Sequence, residues 1–151
     1  MIELVLGGAR SGKSRYAEQQ AIQSNKQVIY IATAEAGDGE MTVRIKRHRE
    51  DRPPHWQTIE EPIQLAEIIY KNSQQNNCLL VDCLTLWLSN ILFNKQGQLQ
   101  LELFQQQTDA LFKVLNSVPG QVILVSNEVG SGVVAIDKMT RRFVDEAGFL
   151  H

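Results

Sequence analysis

Eight consecutive residues, Gly7-Gly8-Ala9-Arg10-Ser11-Gly12-Lys13-Ser14, fit the pattern G-x-x-x-x-G-K-S/T of a phosphate-binding loop. Glycine lets the main chain approach phosphate oxygens with no side chain in the way. Lys13 would reach the outer phosphates, and Ser14 would offer its hydroxyl to Mg2+. A second constellation lies downstream. Arg44, His48 and Arg52 sit at i, i+4 and i+8, flanked by Arg47 and Arg49, so a helix would gather them on one face. A neutral imidazole is a competent nucleophile near pH 7, and guanidinium groups suit a nucleotide phosphate. On spacing alone an exposed basic helix with no specific partner explains the same pattern. The third feature is Asp82, which ends the apolar run Cys78-Leu79-Leu80-Val81. An aspartate closing an apolar strand downstream of a P-loop is the Walker B arrangement, which helps hold Mg2+ beside the P-loop hydroxyl.

These residues need elements to position them. Ile2, Leu4, Val5 and Leu6 predict a strand into the P-loop, and Ser14 to Ser24 a helix out of it, with Ala17 and Ala21 one turn apart. A strand, a glycine-rich turn and a helix aim main-chain N–H groups and the positive helix end at an anion. Residues 27–33 are apolar and rich in β-branched side chains, as in a strand buried on both faces. Their exit, Thr33-Ala34-Glu35, would lie at the carboxyl edge of the sheet, where ligands bind in open α/β folds. Gly37-Asp38-Gly39 reads as a loop, and Glu40 to Asp51 as a helix stopped by Arg52-Pro53-Pro54. Trp56 to Glu60 suits a short edge strand. Glu61-Pro62 then opens a helix with proline in its first turn, carried by Leu65, Ile68, Ile69 and Asn72. After the strand ending at Asp82, Leu84, Trp87, Leu88, Ile91 and Leu92 form an amphipathic stripe. Asn94 to Gln98 is a loop, and Leu99 to Ser117 a helix with Phe104, Leu111 and Leu115 on one side and Gln105, Gln106 and Gln107 on a solvated face. Pro119-Gly120 is a turn, Gln121 to Ser126 a strand, and Asn127 to Gly132 a polar loop. Asp137 to Ala147 is a last helix with Gly148 as its stop.

Strand–helix alternation over a single domain, residues 1–151, predicts an α/β fold of the P-loop NTPase type. This is a three-layer sandwich with a mostly parallel central sheet. Right-handed crossovers would bring the P-loop, Thr33, Asp82 and Asn127 to one edge. The chain has 151 residues, 43% hydrophobic and 21% charged, with net charge −2 and pI near 5.9. That balance argues against general nucleic-acid binding, which needs a strongly basic face. No apolar run approaches the roughly 20 residues that span a bilayer. The first residues run straight into a strand with no signal segment, so the expected location is cytoplasmic. Cys78 and Cys83 form no C-x-x-C pair and read as small buried hydrophobes. His55 and His151 carry no expected role.

Several stretches together resemble one family, the bifunctional adenosylcobinamide kinase/adenosylcobinamide-phosphate guanylyltransferases of cobalamin biosynthesis. They are Gly7 to Arg15, Tyr30-Ile31-Ala32-Thr33, the run from Arg44-Ile45 through His48-Arg49 and Arg52-Pro53 to Trp56, Thr58 and Glu60, then Val81-Asp82-Cys83-Leu84-Thr85, Val125 to Gly130, and Arg142-Phe143, Asp145 and Gly148. The resemblance implies phosphorylation of adenosylcobinamide by ATP or GTP, followed by transfer of GMP from GTP to the phosphate. It implies His48 as the residue that carries GMP. It implies nucleotide contacts from Gly7, Gly8, Ala9, Arg10, Ser11, Gly12, Lys13, Ser14, Thr33, Ala34, Glu35, Arg49, Glu50, Asp51, Arg52, Glu60 and Asp82. Mg2+ would sit on Ser14 and Asp82, and the assembly would be a homotrimer. Two departures stand out. Ala135 replaces the family's usual proline, and family members continue past the counterpart of His151 through a further helix and strand, so an uncovered sheet edge is expected. Two competing readings are a small-molecule P-loop kinase without guanylyl transfer and a non-catalytic nucleotide-binding module.

Overall fold

The computed structural model describes residues 2–7, 13–34, 53–127 and 141. Five strands form one sheet: β1 (Ile2–Gly7), β2 (Gln27–Ala32), β3 (Gln57–Glu60), β4 (Asn77–Asp82) and β5 (Gln121–Asn127). Every pairing is parallel and the spatial order is β1-β5-β4-β2-β3. The described helices are α1 (Lys13–Gln23), α2 (Leu65–Asn72), α3 (Leu84–Leu92) and α4 (Leu101–Leu115).

The inner strands β2, β4 and β5 are largely continuous apolar runs because both of their faces are covered, whereas β3 at the edge is not. On one face Ala17 and Ala21 of α1, both fully buried, pack against Val5, Val28, Tyr30, Leu80, Ile123 and Val125. Alanine at both positions lets the helix lie close to the sheet. On the other face Leu65 and Ile69 of α2, Trp87, Leu88 and Ile91 of α3, and Leu111, Phe112 and Leu115 of α4 close over Leu4, Ile31, Leu79 and Leu124. The result is the expected three-layer sandwich. Crossover handedness accounts for the partition. The step from β1 to β2 runs in one direction across the sheet with α1 on one face. The steps from β3 to β4 and from β4 to β5 run back with α2, α3 and α4 on the other.

Several expectations need correction. The helix after β3 starts at Leu65, not at Pro62. Glu61 instead accepts the N–H groups of Ile63 and Gln64 at 3.1 and 3.0 Å, which holds residues 61–64 as a turn ahead of the helix. The long helix starts at Leu101, because Leu99 is drawn into an antiparallel bridge with Phe93 around the Asn94–Gln98 turn. Gln107 does not belong to a solvated face: it is buried and donates to Gln64 Oε1 at 3.2 Å, whereas Gln105 and Gln106 are exposed. The edge strand begins at Gln57, with Trp56 buried in the core just before it. The predicted helices over 40–51 and 137–147 lie outside the described residues, apart from residue 141.

Candidate functional site at the carboxyl edge of the sheet

Because all strands run the same way, their last residues share one edge. Gly7 lies in register with Asn127, and Ala32 lies between Asp82 and Glu60. The helix α1 begins at Lys13, so its amino end opens on the same edge as Gly7. Lys13 and Ser14 therefore stand in the first turn, where unsatisfied N–H groups and the helix dipole favour an anion. Gly8, Ala9, Arg10, Ser11 and Gly12 lie outside the described residues, and so do the side chains of Lys13 and Ser14.

Asp82 is half-buried. It follows Cys78 and Leu80 on the α1 side of the sheet, so its carboxylate sits on the face that α1 covers. The Tyr30 hydroxyl donates to Asp82 Oδ2 at 2.5 Å. The register explains the contact: Tyr30 pairs with Leu80 and Ala32 with Asp82, which makes Tyr30 and Asp82 diagonal neighbours on one face. Tyr30 is 4% exposed, so the phenol is held by the core and not by solvent.

Thr33 is wholly buried, and its hydroxyl joins two strand exits. It donates to Cys83 O at 2.8 Å and accepts from Cys83 N at 3.0 Å, while Thr33 N donates to Asp82 O at 3.1 Å. Asn90 of α3 adds a second tie. Its amide donates to Thr33 O at 3.0 Å and to Pro62 O at 3.2 Å. The N–H of Glu61 reaches Ala32 O at 2.9 Å, and the Trp87 indole donates to Ile63 O at 2.8 Å. Thr33 thus spends its polar atoms on the scaffold that fixes Asp82 and Cys83. Ala34 is half-buried just beyond it, and Glu60 is exposed at the end of β3. Glu35, Arg44, His48, Arg49, Glu50, Asp51 and Arg52 lie outside the described residues. His55 is exposed in the turn that leads to Trp56.

Sequence reasoning gave no role to Tyr30 or Asn90. Asn90 was detectable in principle, as a polar residue beside the apolar stripe Trp87, Leu88 and Ile91. Tyr30 becomes visible only with the β2–β4 register. Cys78 is fully buried, and burial pushes its thiol up to about 11. Such a thiol is not a nucleophile at neutral pH, in keeping with its reading as a small core residue.

Among the described residues no cluster of three or more His, Cys, Asp and Glu side chains could hold a metal by itself. Mg2+ on a nucleotide does not require one, since phosphate oxygens and water supply most ligands and one or two carboxylates suffice. Asp82, a hard oxygen donor at the edge where α1 opens, fits that ion. No described helix is long and apolar enough to cross a membrane.

A parallel sheet with helices on both faces, a glycine-ended strand feeding a helix amino end, and an aspartate closing another strand at the same edge define a P-loop-type α/β protein. The crystal structure of the RadB recombinase shares this fold, with a TM-score of 0.50 at 19% identity over 83% of this chain and 60% of that one. The sequence profile of the cobinamide kinase / cobinamide phosphate guanyltransferase family matches residues 3–151, and the chain belongs to that family. It is 53% identical over 151 residues to the bifunctional adenosylcobalamin biosynthesis protein CobP of Pseudomonas aeruginosa, covering 100% of this chain and 85% of the relative. It is also 40% identical over 157 residues to the bifunctional CobU protein of Escherichia coli, and 38% identical to that of Salmonella typhimurium, covering 98% of this chain and 86% of each. The chain is accordingly an enzyme, a cobinamide kinase and cobinamide phosphate guanylyltransferase.

Proposed function

We propose that both reactions run at the carboxyl edge of the sheet and that His48 carries GMP between them. In the first, the aminopropanol hydroxyl of adenosylcobinamide attacks the γ-phosphorus of ATP or GTP, and the nucleoside diphosphate leaves. In the second, a ring nitrogen of His48 attacks the α-phosphorus of GTP and pyrophosphate leaves. The phosphate of adenosylcobinamide phosphate then attacks the same phosphorus, the N–P bond breaks, and adenosylcobinamide-GDP is released with His48 restored. Gly7 to Ser14 cradle the triphosphate. Arg49 and Arg52 offset charge on the α-phosphate and the leaving pyrophosphate. Glu35, Glu50, Asp51 and Glu60 contact the nucleotide, with Ala34 forming the wall beside Asp82 and the buried Thr33 bracing it from behind. Bound Mg2+ would neutralise developing charge on the phosphates, held by Ser14 and Asp82. The enzyme works in the cytoplasm as a homotrimer.

The observation that carries this reading is the convergence of Gly7, the start of α1 and the Asp82 carboxylate at one edge and on one face. The test is mass spectrometry of protein incubated with GTP and Mg2+. Wild type should gain one GMP at His48, lost in acid, while His48→Ala should gain none and keep its kinase activity. A GMP adduct that persists on the alanine variant would remove His48 from the mechanism.

A further inference from the structure

The main chain on both sides of the Asp82 carboxylate is pinned. Asp82 O accepts from Thr33 N, and the N–H and C=O of Cys83 are both bonded to the Thr33 hydroxyl. What these bonds leave free is rotation of the Asp82 side chain about its own two torsions. Tyr30 is the only described residue that hydrogen-bonds the carboxylate, and it does so at 2.5 Å, within the short range of an O–H donor on an anionic acceptor. The ring cannot swing away. It is 4% exposed and packed in the core with Val5, Ala17, Ala21, Leu80 and Val125. A rigid donor on Oδ2 restrains both torsions, and among the described residues none hydrogen-bonds Oδ1, the oxygen left to a ligand.

We infer that Tyr30 is a positioning residue for the metal–nucleotide complex, holding the Asp82 carboxylate in one orientation through Oδ2 so that Oδ1 serves the cation. This rests on the reading of Asp82 as a metal-site residue. In this role Tyr30 acts through Asp82. Its contribution is orientation, and groups that orient a ligating carboxylate typically change metal affinity by about tenfold or more when removed. Phenylalanine keeps the buried ring and removes only the donor.

The experiment uses Mn2+ as the probe, with GTP bound and free Mn2+ read by electron paramagnetic resonance. For Tyr30→Phe the Mn2+ dissociation constant of the GTP complex should rise about tenfold, while GTP affinity in EDTA stays within about twofold and the KM for the corrinoid is unchanged. Asp82→Asn should weaken Mn2+ at least as much, and adding Tyr30→Phe to it should have no further effect, because the group being oriented is already altered. Wild-type Mn2+ affinity in Tyr30→Phe, with Asp82→Asn impaired, overturns the role of Tyr30 and leaves Asp82 in place. A lowered thermal midpoint without a change in Mn2+ affinity does the same, since it marks a packing role only. Wild-type Mn2+ affinity in Asp82→Asn overturns the reading of Asp82, and this inference falls with it.

Discussion

Burial holds the Cys78 thiol neutral, with its pKa moved from 9.0 to about 11, desolvation being the largest cause. The unfolded chain releases this proton above about pH 9, and the folded chain keeps it until about pH 11. Stability from this group is therefore intact below the lower value and lost as pH rises toward the upper one. The free energy of unfolding of wild type should fall relative to Cys78→Ala by about 2 kcal/mol between pH 8 and pH 11, read from urea titrations. Native protein should also resist iodoacetamide at Cys78. At this scale the sequence was legible where chemistry is contiguous. An aspartate after an apolar run announced a strand end, and Asp82 does close β4, whereas most of the glycine-rich octapeptide lies outside the described residues. Groups joined only by folding were not legible. Thr33 and Cys83 lie 50 residues apart and Tyr30 and Asp82 lie 52 apart, so no local pattern records either bond. Gln107 was misread for a related reason: its partner, Gln64, lies 43 residues earlier, in the turn ahead of α2.

The approach to α2 is held by a side chain that accepts at the turn. Removing the Glu61 carboxylate leaves two N–H groups at the approach to α2 unpaired, so Glu61→Ala should cost about 1 kcal/mol. Amide exchange at Ile63 and Gln64 should quicken in the same variant, while exchange in the middle of α4 stays as in wild type. Core strands were easy to place from composition, because burial on both faces demands continuous apolar runs. Helix starts were harder. Pro62 suits a first helical turn by its own geometry, but the Glu61 carboxylate and the reach of Asn90 to Pro62 O hold that residue in the turn before the helix. Leu99 likewise has the apolar character of a helix face, and pairing with Phe93 removes it from α4.

On the scale of the whole molecule the two edges of the sheet carry different duties. The carboxyl edge gathers the candidate site. The opposite edge is tied by Asn77, which bonds Asn72 O at 2.7 Å and Gln74 N at 2.9 Å, and by Gly120, whose N–H donates to Ser73 Oγ at 3.1 Å. A side chain at residue 120 would collide with Gln74 O and approach Ser73 Oγ within 2.9 Å. Gly120→Ala should lower stability by about 1–3 kcal/mol through that crowding, with the KM for GTP unchanged. Thermal melts and steady-state kinetics on the same sample would check both halves. Strand order is the part of the architecture that no sequence pattern announces, and it has a geometric effect on the site. Val125 of β5 is the register partner of both Val5 and Asp82, so one whole strand is interposed between β1 and β4. The separation is two interstrand spacings, about 10 Å, and is set by main-chain hydrogen bonds. Side-chain replacement can reshape the floor of this gap but cannot narrow it. On the proposed reading, the span that a triphosphate and its hydrated cation would bridge is thus a fixed gauge written into the backbone.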